Sequence, residues 1–565
     1  MAELITKVLL HITCKKGEKT LKAIEEASQN AGEYSRDLLM KLLRESADCE
    51  YGKKYHFDEI KSVEEYKKTV PITEYDDYAP YIERMVKNGE QNVLTGRKVV
   101  HFAQSSGSVG VPKYIPVVQE VIDLYSEVGC SRTFALAGRY LREHGRPFPY
   151  HKCLNLIEII ERKTECGIPK GAISSTVLKH VRKFMKYMQT TPMELIYPTE
   201  NVDQRYLKLL FALAYKDLSF IDGAFTTSLV DLMVYLTCNW GKLVEDIRTG
   251  KINKEIKMSD GLRSTLEKQL KADAVRADEL KAEFEKGFDT PIIPRIWPRL
   301  SWTGGIGTGT FAPYTEKLRK YTGDDMPHDN LLYAASESIF ACCMGLDRND
   351  FLMIPQSGFY EFVPAGSDDY SRTYNMDELE VGKDYEIIVT NLSGLYRYRI
   401  YDVVRVLGYY GRSPLVQFIY RKNQLVNLAS EKTNTEALEA AINGFEEETG
   451  ITVTDYSVYP DTSEERGRYV FLLETDGSAL IDKCDEYACR LDEKLGDANP
   501  AYKYTRSSNE LAPAVVMLLQ PQTNSLWRDM MIYKGISPNQ IKPVRVIDTP
   551  VKEKFFLNLT QKQER

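Results

Sequence analysis

The 565-residue chain is notable first for what it lacks. It has no run of about 18 apolar residues, so no simple membrane-spanning helix is expected. It has no long basic run, and its formal net charge is -7. A footprint for a nucleic-acid backbone is therefore not expected. The ten cysteines are scattered, and the closest sets, Cys342 with Cys343 and Cys484 with Cys489, lack the C-x2-C spacing of a zinc site. They read as reduced thiols of a cytoplasmic protein. The opening MAELITKVLLHITCKKGEKT carries only a short apolar stretch, an early Glu3 and no small-residue cleavage pattern, so no secretory signal is expected. There is neither an internal repeat nor a low-complexity segment.

What is present is an average globular composition, 43% hydrophobic and 27% charged, in a chain too long for one core. Residues 1 to about 70 read as helices with charged faces. The acidic cluster and proline of TVPITEYDDYAPYIERMV introduce another helix. RKVVHFAQ (97–104) reads as a strand, and PVVQEVIDLYSEVG has helical spacing. Residues 203–248 predict core helices. Residues 254–286 predict a solvated helix with Leu262, Leu266 and Leu270 on its buried stripe. After PIIPRIWPRLSW the texture turns to glycines and short strands. Beyond residues 421–428 an α+β pattern of its own begins, running helix, strand, strand, helix, strand, helix.

Three stretches carry possible chemistry. In AQSSGSVGVPKYIPV (103–117), Gly107 and Gly110 can turn backbone N–H groups toward one point. Ser105, Ser106 and Ser108 add hydroxyl donors, and Lys113 adds a mobile charge, a set suited to a polyphosphate. The Gly-Lys-Ser/Thr of a Walker A loop is missing, and a surface turn is the competing reading. In YAASES, Tyr333 offers a ring for a planar base and Glu337 a carboxylate for magnesium, unless the tyrosine simply packs inward. In GLYRYRIYDVVRV, Asp402 can accept both hydroxyls of a ribose, or pair with an arginine at the surface. A fourth stretch, GGIGTGTF, does not complete G-x-G-x-x-G and argues only weakly for a dinucleotide oxidoreductase.

In order and at wide spacing, SSGSVGVPK, YAASE and YRYRIYD resemble the three nucleotide-binding motifs of the acyl-adenylate-forming superfamily. The closer likeness is to its auxin-responsive-promoter family of acyl acid amido synthetases. VPITEYDDYAPYIERMVKNG, IWPRLSWTGGIGTGTFAPY, GLYRYR, RKNQLVNLASEKTNTEAL and GISPNQIKPVRV all resemble that family's landmarks, so the likeness runs over most of the chain. The resemblance implies an α/β fold. It expects a large domain of mixed sheets and helices with a small β-barrel-like part over 1–424, and a small mobile α+β domain over 425–565. It implies that Ser105, Ser106, Gly107, Ser108 and Lys113 hold the ATP phosphates, that Tyr333 lines the adenine pocket, and that Ser336 lies by the α-phosphate. Glu337 would bind Mg2+, Asp402 the ribose, and Arg421 and Lys422 would form the hinge. Lys542 would be the mobile lysine of adenylation. This chain reads Tyr401-Asp402 where the family has Gly-Asp, and Lys542-Pro543-Val544-Arg545 where the plant enzymes have one residue and then Pro-Arg after the lysine.

The activity implied is formation of an acyl-adenylate and pyrophosphate from ATP and a carboxylic acid, then transfer of the acyl group to an amine, expected to be an amino acid. A monomer suffices for it. A ligase that passes the adenylate to CoA, and a nucleotide-binding protein that has lost catalysis, are the alternatives. Phe134, Phe184 and Phe225 are candidate walls of the acid pocket, and equally core residues.

Overall fold

The structure, a computed structural model, describes residues 2–105, 113–160, 162–180, 182–367, 369–422, 426, 428, 431, 433–463, 466–507, 510–536, 538 and 541–561. These fall into two compact units. The larger takes the described residues up to 400 together with 404–417. The smaller takes 401–403 and the chain from 418 onward. The architecture is mixed α/β, as the motifs imply.

In the larger unit, four strands run parallel in the order Leu154–Asn155, Phe220–Phe225, Trp302–Ile306, His328–Asp329. The two long ones each lead into a helix, Thr226–Thr249 and Ala312–Thr322, giving crossover units. Alternate residues of a strand serve opposite faces. Ile221 joins the core formed by Leu210, Leu229, Leu232 and Leu236. Phe220 faces the other way, stacking on Trp302 at 4.4 Å with Phe134 edge-on at 5.4 Å. Phe134 is therefore core, and Phe184 is exposed.

The glycines of GGIGTGTF are explained by close approach. A side chain at Gly305 would meet the backbone of Phe225 and Thr226 at 3.1 Å, and one at Gly307 would meet Thr315 Oγ1 at 2.1 Å. They serve packing at the end of a strand, which removes the support for the oxidoreductase reading.

A second sheet has the order Lys113–Val118, Val99–Ser105, Pro169–Gly171, Arg162–Lys163. A third has eight strands, from Tyr374–Asn375 at one edge to Leu332–Ala334 at the other, and among the described residues it does not close into a barrel. In its middle lie Asp384–Asn391, Tyr398–Tyr410 and Ser413–Arg421.

In the smaller unit, strands Val453–Asp461, Arg468–Thr475 and Val515–Leu518 form one sheet. Its middle strand is buried on both faces. Phe471 and Leu473 point to Leu438, Phe445 and Leu491, while Val470 and Leu472 point to Trp527 and Phe556. This explains the unbroken apolar run YVFLL.

The structure differs from the pattern reading at two elements. Residues 254–286 hold two helices, Asp260–Gln269 and Ala274–Phe284, because Asp273 accepts a bond from Arg276 N and caps a new start. The predicted helix after the serine-rich loop begins only at Gln119. It passes through a π-helical stretch, Tyr125–Ser131, before resuming as Arg132–Glu143.

Candidate active site

A pair of antiparallel strands flanks the serine-rich stretch. Ser105, the last residue of Val99–Ser105, stands opposite Lys113, the first of Lys113–Val118. Ser106, Gly107 and Ser108 lie outside the described residues, but both ends of their loop are set by this pairing. Lys113 Nζ lies 4.9 Å over the ring of Tyr75. Tyr75 is the first residue of the helix Tyr75–Asn88, whose start is fixed by Glu74 N donating to the Asp77 carboxylate at 2.8 Å. Its hydroxyl accepts a 3.0 Å bond from Tyr114 N. The helix read from the VPITEYDDY landmark thus holds the ring under the loop lysine.

YAASES forms a hairpin. Tyr333 pairs with Ala341, and Ala335 N donates to Ser338 O at 2.9 Å, so Ser336 and Glu337 occupy the turn, both half-buried. Two polar contacts from outside hold that turn in place. Tyr125 Oη donates to Ala335 O at 2.9 Å, and Asn391 Nδ2 donates to Glu337 O at 2.8 Å. Asn391 in turn accepts from Ser393 N and Leu395 N through Oδ1. The Glu337 carboxylate is close enough to act on both neighbouring phenols: burial, then the Glu337 charge, raises Tyr125, and burial with a smaller contribution from Glu337 raises Tyr75. Lys113 and Glu337 are therefore both near Tyr75. Tyr333 is buried, its ring tilted against Phe340 at 5.1 Å.

Beneath this turn lies a buried ion pair. Arg132 donates to Asp329 at 3.0 Å, to Cys343 O at 2.6 Å, to Leu331 O at 3.0 Å and to Val128 O at 2.9 Å. Thr133 Oγ1 also donates to Asp329, at 2.7 Å. One guanidinium thus ties the π-helical turn to both sides of the YAASES hairpin.

The arginines of GLYRYR prove structural. Arg397 makes a bidentate pair with Glu361 at 3.0 and 2.9 Å and caps the carbonyls of Lys67 and Val70. Arg399 pairs with Glu386 at 2.9 Å. Thr73 bridges Tyr398 and Tyr78 Oη donates to Tyr396 O at 2.8 Å, so this motif and the VPITEY landmark are joined to one another.

In the smaller unit, Asp402 is buried and accepts a 2.5 Å bond from Arg421 Nε. Lys422 follows, half-buried. Tyr401, before Asp402, has a left-handed backbone with φ of 65°, the conformation glycine adopts freely. Lys542 is exposed and begins a ribbon pinned to the strand Val453–Asp461: Ser457 Oγ donates to Val544 O at 2.6 Å and Val458 N to Arg545 O at 2.8 Å. The Arg545 guanidinium donates to Asp455 at 2.6 Å. The match to the family's arginine therefore anchors the segment that carries the lysine.

Pattern reading missed Tyr75, Tyr125, Asn391, Arg132 and Asp329, which place the motif residues. Tyr75 lay within a quoted landmark; the others carried no local signal.

Known proteins match the chain over most of its length. The GH3 family N-terminal domain matches residues 20–327, its central domain 351–421 and its C-terminal domain 436–551. A probable indole-3-acetic acid-amido synthetase, GH3.1 of Arabidopsis thaliana, is 29% identical over 96% of this chain and 93% of its own. The jasmonoyl-L-amino acid synthetase JAR6 of Nicotiana attenuata is 27% identical, covering 94% and 93%. The solved GH3.15 acyl acid amido synthetase has a TM-score of 0.83 at 24% identity, covering 96% of each chain. The chain belongs to the GH3 family, the family of acyl acid amido synthetases that its motifs resemble.

Proposed function

We propose that this chain is an AMP-forming acid–amine ligase that adenylates a carboxylic acid with ATP and transfers the acyl group to an amino acid. The observation that carries the reading is the setting of the two nucleotide motifs: the paired ends of the serine-rich loop and the YAASES turn meet at Tyr75, with Lys113 and Glu337 around it.

In the first step a carboxylate oxygen attacks the α-phosphorus, the bond to the β-phosphate breaks and pyrophosphate leaves. In the second the amine nitrogen attacks the acyl carbon, loses a proton and expels AMP. Both reactants of the first step are anions, so positive charge at the α-phosphate is the principal requirement. Ser105, Ser106, Gly107, Ser108 and Lys113 hold the phosphates. Tyr333 lines the adenine pocket, Ser336 lies beside the α-phosphate, and Asp402, paired with Arg421, takes the ribose hydroxyls. Residues 425–565 turn as a mobile domain about Arg421 and Lys422, bringing Lys542 in for adenylation and then clearing the amine's route.

Glu337 would hold Mg2+. The donor set fits, because magnesium uses one or two carboxylates and takes its remaining oxygens from phosphates and water. Among the described residues no group of three or more His, Cys, Asp or Glu forms a separate metal cage. Bound there, the ion supplies neutralising charge to the phosphates. We place the reaction in the cytoplasm, where the ten free cysteines stay reduced, and assign it to a monomer. No helix among the described residues is long and apolar enough to cross a membrane.

Acid-dependent exchange between ATP and pyrophosphate tests the first step, and AMP release on adding amino acids or CoA tests the second. Exchange with no acid overturns adenylation; release with CoA alone overturns the amide step. Lys542→Ala should slow adenylate formation by about 10²-fold or more while leaving nucleotide affinity nearly unchanged. Equal loss of both would remove its role.

A further inference from the structure

Across the four parallel strands, Asn155, Asp222, Gly304 and Asp329 stand opposite one another in a single row. Residues in one row of a sheet share a face. Asn155 and Asp329 end their strands, so the row lies toward the carboxyl edge, where ligands of open α/β sheets bind. Three members of the row are accounted for. Asp329 is saturated by Arg132 and Thr133, Asn155 Oδ1 accepts from Ile157 N, and Gly304 leaves the space beside Asp222 empty of side chain. Asp222 is not: its Oδ1 is enclosed and has no hydrogen-bond partner among the described residues. Burial pushes its carboxyl up to about 7, with the Asn155 side chain opposing the rise.

The row faces the helix Arg132–Glu143 that continues the π-helical turn, because its Asp329 accepts from Arg132 and Thr133, and Phe220, two residues before Asp222 and on the same face, packs on Phe134. Gly129, Cys130, Asp222 and Phe225 all keep some exposed surface although they lie between helix and sheet. Phe225, at the end of the Asp222 strand, stacks on Phe311 at 4.5 Å. The same π-helical turn begins at Tyr125, whose hydroxyl holds the YAASES turn. Five residues separate Tyr125 from Cys130, less than about 8 Å along a helix axis. One short element thus joins the turn that carries Glu337 to the helix packed on the row that holds Asp222.

We propose that Asp222 determines the acid this enzyme accepts: its Oδ1 receives a hydrogen bond from a hydroxyl or N–H group carried by the acid at the end remote from the reacting carboxylate. The proposal rests on the adenylation reading above. An unfilled enclosed acceptor is costly, so a donor on the ligand is favoured over a shape-matched acid without one.

The test is a panel of aryl and alkyl acids bearing a distal hydroxyl, each beside its deoxy or fluoro counterpart. Exchange rates and direct calorimetric binding would be measured on wild type, Asp222→Leu and Asp222→Asn. Wild type is expected to favour the hydroxy acids at least tenfold in kcat/KM, Asp222→Leu to lose that preference, and Asp222→Asn, which keeps an acceptor and the shape, to retain part of it. Equal handling of each pair by wild type, or a preference undiminished in Asp222→Leu, overturns the proposal. Binding that prefers hydroxy acids through Asp222 without any exchange would retire adenylation and leave the Asp222 reading standing. Exchange without discrimination would do the reverse, and neither binding nor exchange would retire both.

Discussion

Tyr401 occupies a left-handed backbone position, with φ of 65°, where its relatives are expected to carry glycine. Such a conformation costs an L-residue about 1–2 kcal/mol and a β-branched one more. Tyr401→Gly should therefore fold with unchanged or slightly higher stability, while Tyr401→Val should lose about 1–3 kcal/mol in urea titration. A valine variant as stable as the glycine one would show that no strain is stored there. The family's Gly-Asp spelling can be read from this angle, as a backbone requirement that tyrosine meets at some expense. Asp402 beside it was legible from its motif, but its partner was not: Arg421 lies 19 positions away and meets it only through the fold. In GLYRYR the reverse holds, since Arg397 and Arg399 look like ligand-binding charges in one dimension and are consumed by Glu361 and Glu386 in three.

At the scale of elements, the π-helical turn Tyr125–Ser131 and the guanidinium that follows it organise the site. Apolar spacing predicts a helix through this region. The extra residue of a π-turn leaves no comparable trace, because it shifts the phase of a stripe that is already short. Arg132 is wholly enclosed with Asp329. Removing one partner of such a pair strands the other, so Arg132→Met should cost about 3–5 kcal/mol, and Arg132→Lys should not restore it, since an ammonium cannot serve four separate acceptors from that position. The double replacement Arg132→Met with Asp329→Leu should recover much of the loss in denaturant titration. Failure of the double variant to recover would mean that the carbonyls capped by Arg132 matter more than the charge.

Over the whole molecule, the alternation of helical and strand textures allowed the α/β class and the separate C-terminal pattern to be read. The short parallel strands Leu154–Asn155 and His328–Asp329 escaped, being two residues long and carrying no periodicity. Among the described residues burial raises two carboxyls, Asp222 and Glu439, as far as about 7. Glu439 faces Arg545, Glu436 and the enclosed Tyr456 hydroxyl. A folded carboxyl that titrates near 7 against an ordinary 4.5 keeps a proton that the unfolded chain has already released. Its contribution to stability is full below the lower value and is lost as the pH rises through the higher one. Glu439→Gln should accordingly raise stability by on the order of 2 kcal/mol at pH 8 and by little at pH 4. A gain independent of pH would show that Glu439 is not the titrating group.

The ribbon 544–547 lies along the strand Val453–Asp461, bonded through Val458 to Arg545 and Ile547. It covers amide groups that a bare sheet edge would offer to a passing chain. The segment proposed to deliver Lys542 is thus also a guard against edge-to-edge aggregation, and truncating it should cost the protein its solubility along with its chemistry.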